Sequence, residues 1–155
     1  MNASEKVKFI SNWIKDYVDR MPTKAQSLVV GISGGIDSSV VSSLCASTGR
    51  RTIVLTMPIK QIKSQHDLSL LHAKWLKKKY KNVEHHLLEM DKIFNSFSQV
   101  LSKFDNEHAY ANSRARLRMA TLYQVASANN GIVVGTGNKV EDFGVGFILN
   151  MGMEE

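Results

Sequence analysis

The stretch VVGISGGIDSSVV, residues 29–41, decides the fold. An apolar run stops at two glycines, passes an aspartate and two serines, and turns apolar again at once. SLVVGIS (27–33) is short and apolar, as suits a strand of a parallel sheet buried on both faces. DSSVVSSLCAST (37–48) then reads as a helix ended by Gly49. Gly34 and Gly35 carry no side chains, so the backbone between strand and helix turns sharply and lets a ligand approach. The turn feeds a helix N-terminus, whose unpaired N–H groups and dipole favour an anion. Ser33, Ser38 and Ser39 add hydroxyl donors. Asp37 puts a carboxylate in the first turn, fit either to cap the helix or to hold a Mg²⁺ that bridges phosphate oxygens. A lysine is missing, so the stretch is not the G-x-x-x-x-G-K-[ST] loop, nor does it contain G-x-G-x-x-G. The bland alternative is a plain strand–turn–helix connection with a serine cap.

On either side of this turn the pattern alternates. Residues 2–20 predict an amphipathic helix: Val7, Ile10, Trp13, Ile14, Tyr17 and Val18 recur at helical spacing, and Asn2 with Glu5 suits a capping box. Pro22 breaks it. Strands are expected at 51–58, ended by Pro58, at 82–90 and at 131–137; helices are expected at 64–80, 91–104 and 109–130. Strands alternating with helices imply an α/β fold, an open parallel sheet with helices on both faces, Rossmann-like. Ligands of such sheets bind at the carboxyl ends of the strands. Both glycine-bearing ends, Gly31–Gly35 and Gly135–Gly137, then open on one edge.

Length and composition set bounds on this reading. The 155 residues make one ordinary domain, 43% hydrophobic, with no apolar run long enough to span a membrane. The start MNASEKVKF lacks the charged and apolar regions of a secretory signal. The single cysteine, Cys45, excludes an internal disulfide and fits a reducing cytoplasmic setting; its apolar helical context suggests a buried small hydrophobe. The net charge of +6 favours anionic partners, but much of it sits in Lys77, Lys78, Lys79 and Lys81 at a helix end, where a solvated face complementing the helix dipole explains it. No basic patch interleaved with aromatics points to nucleic acid. The five histidines show no metal spacing with the cysteine, and the rings of His85 and His86 are expected on opposite faces of a strand.

SGGIDSS resembles the SGGxDS loop of the ATP pyrophosphatase (PP-loop) superfamily, which adenylates substrates by cleaving ATP between the α- and β-phosphates. NSRARLRM (112–119) is similar to the N-x-x-A-R-x-R-M helix of the NAD synthetase family, and GTGNKVED (135–142) to its G-T-x-N/H-x-x-E segment. In this order the three stretches resemble the ammonia-dependent NAD synthetase family, which implies a fold of the adenine nucleotide alpha hydrolase type. The resemblance implies that Gly31, Ile32, Ser33, Gly34, Gly35, Ile36, Asp37 and Ser38 cradle the ATP phosphates, with Thr136 also on ATP. It implies that Arg116 binds deamido-NAD⁺ and that Asp37 and Glu141 share Mg²⁺. The implied reaction is adenylation of deamido-NAD⁺, then amidation by ammonia to NAD⁺, AMP and pyrophosphate, with no covalent catalytic residue. The family forms homodimers, which makes the apolar faces of the first helix and of 109–130 candidate interfaces, though core packing explains the same stripes. One helix before the loop leaves no room for a glutaminase domain, so free ammonia is the expected donor. The alternatives are another PP-loop ligase, GMP synthetase-like or tRNA-modifying, and a non-catalytic nucleotide-binding remnant.

The family pattern fails at GFILNMGMEE (146–155), where a segment G-F-[FY]-T-K-Y-G-D-G-G is expected. The codons ATA CTA AAT ATG GGG ATG GAG GAG, one permitted set, read in another frame after an added T as Tyr-Thr-Lys-Tyr-Gly-Asp-Gly-Gly. The expectation is a single domain incomplete at its C-terminus, with 147–155 an out-of-frame tail. Weak ATP–Mg²⁺ binding and no useful NAD⁺ synthesis by this chain alone follow from it; the nucleotide sequence around those codons is the check.

Overall fold

Alternation along the two central strands organises the molecule. In β1 (Ser27–Gly31), Leu28 and Val30 enter one apolar cluster and Val29 enters another. In β2 (Thr52–Thr56), Val54 faces one way and Ile53 and Leu55 the other. Side chains with a period of two, apolar on both sides, need a covering layer on each face. The computed structural model describes residues 1–137 and supplies both layers.

Four parallel strands run in the order β3-β2-β1-β4, with β3 at Val83–Leu87 and β4 at Gly131–Val133. Leu28 pairs with Thr52 on one side of β1 and with Ile132 on the other. On one face lie α1 (Ala3–Arg20), α2 (Ile36–Ser47) and α3 (Lys63–Lys79); on the other lie α4 (Asp91–Val100) and α5 (Glu107–Ala128). The chain therefore moves outward from β1 through β2 to β3, then crosses beneath the sheet to β4. Strand order reverses between β1 and β4, which opens a crevice at their carboxyl ends.

Local chemistry explains the boundaries. The Asn2 side chain accepts from the Glu5 N–H at 2.9 Å while the Glu5 carboxylate accepts from the Asn2 N–H at 2.8 Å, the reciprocal cap expected from the sequence. Gly49, at φ +76, follows Thr48, the C-cap of α2, and takes the left-handed conformation that a side chain resists. All four strands are shorter than expected; beyond β1 and β4 the Ile32 and Val134 N–H groups still donate to the Leu55 and Val29 carbonyls as the chain leaves the sheet. The expected 91–104 helix is α4 followed by a 3₁₀ turn at Ser102–Phe104.

The stripe on α1 divides. Ile14 and Val18 are core, whereas Trp13 and Tyr17, stacked with centroids 5.5 Å apart, are exposed together with Phe9. His85 bonds Thr56 Oγ1 through Nε2 at 3.0 Å, while His86 stands near Glu84, so the adjacent rings do take opposite faces. No helix among the described residues is long and apolar enough to cross a membrane.

Candidate active site

The turn after β1 is held in shape by its own serines. Ser38 Oγ accepts from the Ser33 N–H at 3.2 Å and donates to the Gly35 carbonyl at 3.1 Å. Ser33 Oγ accepts from the Gly35 N–H at 3.2 Å, and Ser39 Oγ donates to the Gly35 carbonyl at 2.9 Å. Gly34 sits at φ +91, and a Cβ there would collide with the Gln65 carbonyl, so the position excludes any side chain on two counts. Gly35 is the N-cap of α2 and supplies no side-chain cap. The N-terminus of α2 is therefore not closed by an N-cap side chain, the setting in which helices receive anions.

This turn borders a cavity of about 490 Å³ at the carboxyl edge of the sheet. Gly31, Ile32, Ser33 and Ser38 form one wall and Thr136, beyond β4, joins it. Met57, Lys60, Gln61 and Gln65 close the cavity from the β2–α3 side, and Ala115, Arg118, Met119 and Leu122 of α5 from the other. A side chain at Gly31 would intrude between Met57 and Leu122, the nearest atom being Met57 Cε at 3.3 Å. Among the described residues walling the cavity, the charged side chains are Lys60 and Arg118, both cationic. Arg118 Nε donates to the Met57 carbonyl at 2.9 Å. Burial, with Arg114 adding repulsion, holds its guanidinium below the usual arginine value. A partly desolvated cation with only a neutral carbonyl beside it is suited to an anionic ligand.

The expected site residues fall into three groups. Gly31, Ile32, Ser33, Ser38 and Thr136 line the cavity together. Gly34, Gly35, Ile36 and Asp37 build the turn between them; the Ile36 side chain lies in a separate groove with α1 and α3 residues, so its share in the turn is its backbone. Arg116 is half-buried on α5 but is not part of the cavity wall, where Arg118 stands instead. The neighbouring Arg114 is taken by Glu107 at 2.6 Å. Glu141 and the 147–155 tail lie outside the described residues. Gln61, Gln65 and Arg118 were not singled out from the sequence. For Arg118 the signal was the helical phase of Ala115, Arg118, Met119 and Leu122; for the two glutamines there was none.

Asp37 is half-buried in the first turn of α2. One carboxylate in a turn of serine hydroxyls fits Mg²⁺, which takes one or two carboxylates and completes its shell with water and phosphate oxygens. Among the described residues no cluster of three or more His, Cys, Asp or Glu could hold a metal, so a cation bound by protein alone is not the arrangement offered.

A family model described as NAD synthase matches residues 6–153. The NH(3)-dependent NAD(+) synthetase of Finegoldia magna is 31% identical over 98% of this chain and 60% of its own length. That of Alkaliphilus metalliredigens is 35% identical over 91% of the chain and 59% of its own length. Among solved structures, the NMN synthetase of Francisella tularensis superposes with a TM-score of 0.80 at 32% identity, covering 91% of this chain and 57% of that one. The NH3-dependent NAD synthetase of Campylobacter jejuni, solved with a nitrate ion, gives 0.79 at 30% identity, over 91% and 59%. The chain thus spans between about half and 60% of the length of the curated relatives it matches, 46% to 61%.

Proposed function

The chain belongs to the NAD synthase family, and on that premise we propose that its cavity binds ATP and serves the ammonia-dependent conversion of deamido-NAD⁺ to NAD⁺. The observation that carries this is the glycine–serine turn at the end of β1, without a side-chain cap at α2 and bordering a cavity whose charged walls, among the described residues, are two cations. The family relatives favour this over a GMP synthetase-like or tRNA-modifying ligase.

In this reading the turn from Gly31 to Ser38 holds the ATP phosphates, and its N–H groups meet the charge that grows on the leaving pyrophosphate. Thr136 contacts the nucleotide from β4. Asp37, with Glu141, would hold Mg²⁺, which when bound neutralises phosphate oxygens. Arg116 would bind deamido-NAD⁺, and Arg118 stands ready on the cavity wall for the same anion. The nicotinate carboxylate attacks the ATP α-phosphorus and pyrophosphate leaves; ammonia then displaces AMP. Catalysis of this kind is positioning and charge stabilisation, without a protein nucleophile. A cytoplasmic homodimer completes the proposal. The exposed Phe9, Trp13 and Tyr17 of α1 support the dimer as an apolar face left open.

Calorimetry with ATP–Mg²⁺ tests the turn: binding to the wild-type chain, lost in Asp37→Ala, supports it, and no binding or equal binding sinks it. Because this chain alone is expected to give no useful turnover, calorimetric binding of deamido-NAD⁺, its mononucleotide counterpart and xanthosine monophosphate tests the substrate. Deamido-NAD⁺ is expected to lead; preference for the mononucleotide would align the chain with the Francisella NMN synthetase instead. Sedimentation of wild type and Trp13→Lys tests the dimer, with a shift to monomer expected in the variant.

A further inference from the structure

The phosphate turn is backed along its length by α3 and the residue pair before it. Gln61 donates its side-chain N–H to the Ser33 carbonyl at 2.8 Å. The Gln65 carbonyl fills the space a Cβ of Gly34 would need. Two turns on, His72 Nε2 lies 2.9 Å from Ser42 Oγ. Ser42 is fully buried, and its hydroxyl also stands 2.7 Å from the Ser38 carbonyl and 3.2 Å from the Ser39 carbonyl. A bare Nε2 would accept the Ser42 proton, whereas a ring protonated at Nε2 donates to a Ser42 lone pair and leaves that proton for the nearer carbonyl, that of Ser38. Without the ring, the hydroxyl is free to alternate between Ser38 and Ser39, an ordinary helix back-bond. Ser38 is the residue whose hydroxyl ties Ser33 to Gly35. A polar chain therefore runs from His72 through Ser42 to the centre of the turn.

We propose that His72 is a positioning residue for the phosphate turn, donating Nε2–H to Ser42 and so locking the first turn of α2 against α3. It touches no ligand: its ring lies in the groove between α1, α2 and α3, stacked on Trp75 with centroids 5.6 Å apart, and not in the cavity. Burial keeps the imidazole below the ordinary histidine value, which agrees with a neutral ring. The inference rests on the turn being an anion cradle and adds the residue that sets its shape.

The test uses the full chain. Nitrogen-15 NMR of the wild type is expected to show His72 protonated at Nε2; protonation at Nδ1 alone overturns the proposal. His72→Leu removes the donor at similar volume, whereas His72→Gln places an amide N–H where Nε2 stood. In His72→Leu the Ser33 and Gly35 amides should exchange about 10-fold faster and the ATP–Mg²⁺ Kd should rise about 5-fold, the scale of one lost hydrogen bond. His72→Gln should restore both to within about 2-fold of wild type. Equal behaviour of Leu and Gln, or unchanged exchange in both, overturns the role. Should His72→Leu fail to fold, Ser42→Ala removes the acceptor and carries the same expectation. A wild type that binds no ATP yet shows the tautomer and the exchange pattern overturns the nucleotide reading and leaves the positioning role standing. Intact binding with an Nδ1–H ring overturns only the latter.

Discussion

The cavity is built on two glycine-bearing strand ends that are held very differently. β1 lies between two strands with helices on both faces, and Leu28, Val29 and Val30 are fully buried. β4 pairs, among the described residues, with β1 alone, and Gly131, Ile132 and Val133 are each half-buried. The helix that leads to it, α5, buries only Ala126 fully. The phosphate turn thus stands on a central, buried strand and Thr136 follows a half-buried one. A site that must hold a polyanion in one fixed geometry gains from a rigid mount, whereas a contact on a half-buried edge opens at lower cost.

The strongest way to break this contrast is Gly34→Ala. A left-handed φ and the Gln65 carbonyl both oppose the methyl, so a stability loss of about 2–4 kcal/mol and loss of ATP–Mg²⁺ binding are expected. An unchanged melting temperature would show that the turn is less rigidly held than described.

Val29 and Val133 sharpen it, because they are register partners packed on one apolar cluster with opposite burial. Val29→Ala should cost about 2 kcal/mol and Val133→Ala about 1 kcal/mol in urea unfolding. Equal costs would erase the difference between the two strands.

Cys45 reads the same contrast without mutation. It lies in the cluster with Leu28 and Val30, and burial pushes its thiol up to about 12. A thiol reagent at pH 8 should label it only at the slow opening rate of β1 amides, well behind exchange in β4. Labelling as fast as a free thiol would contradict this.

The smallest effect is a pH dependence carried by two half-buried histidines away from β4. Burial holds His72 and His85 below the ordinary histidine value of 6.5, and nearby Lys77 and His86 add to it for His85. The unfolded chain therefore binds protons first as pH falls, so stability is complete above about 6.5 and declines below it. The urea midpoint should drop between pH 7.5 and pH 5, with a shallower drop in His85→Gln; a midpoint that rises on acidification has the wrong sign.

Much of the architecture was legible because local rules and tertiary packing agree. The Asn2–Glu5 cap, Gly49 and the apolar runs at 27–33 and 51–58 each place an element within a few residues of where it lies. The glycine–serine turn was legible as a ligand turn because Gly34 has a conformational reason as well as a chemical one. Periodicity alone was blind in two places. It grouped Trp13 and Tyr17 with Ile14 and Val18, although a helical stripe carries no mark of which part meets the core and which meets solvent. It also groups Arg118 with Ala115, Met119 and Leu122 on one face of α5, but only the position of the sheet edge shows that this face, and not that of Arg116, walls the cavity. Gln61 and Gln65 act through one side-chain N–H and one backbone carbonyl, and neither leaves a pattern in a single chain.

The strand order also sets a sequence of events in folding. β1 meets β2, and β2 meets β3, through single-helix crossovers of neighbouring chain. The Ser27–Gly131 pairing closes a loop that contains nearly every other element. Closure of so long a loop costs more chain entropy and is slow, so the edge of β1 beside the phosphate turn is the last part of the sheet to be covered. During synthesis that edge emerges early and stays open until β4 leaves the ribosome. The chain thus carries, for most of its assembly, an exposed apolar strand edge at the root of its nucleotide site.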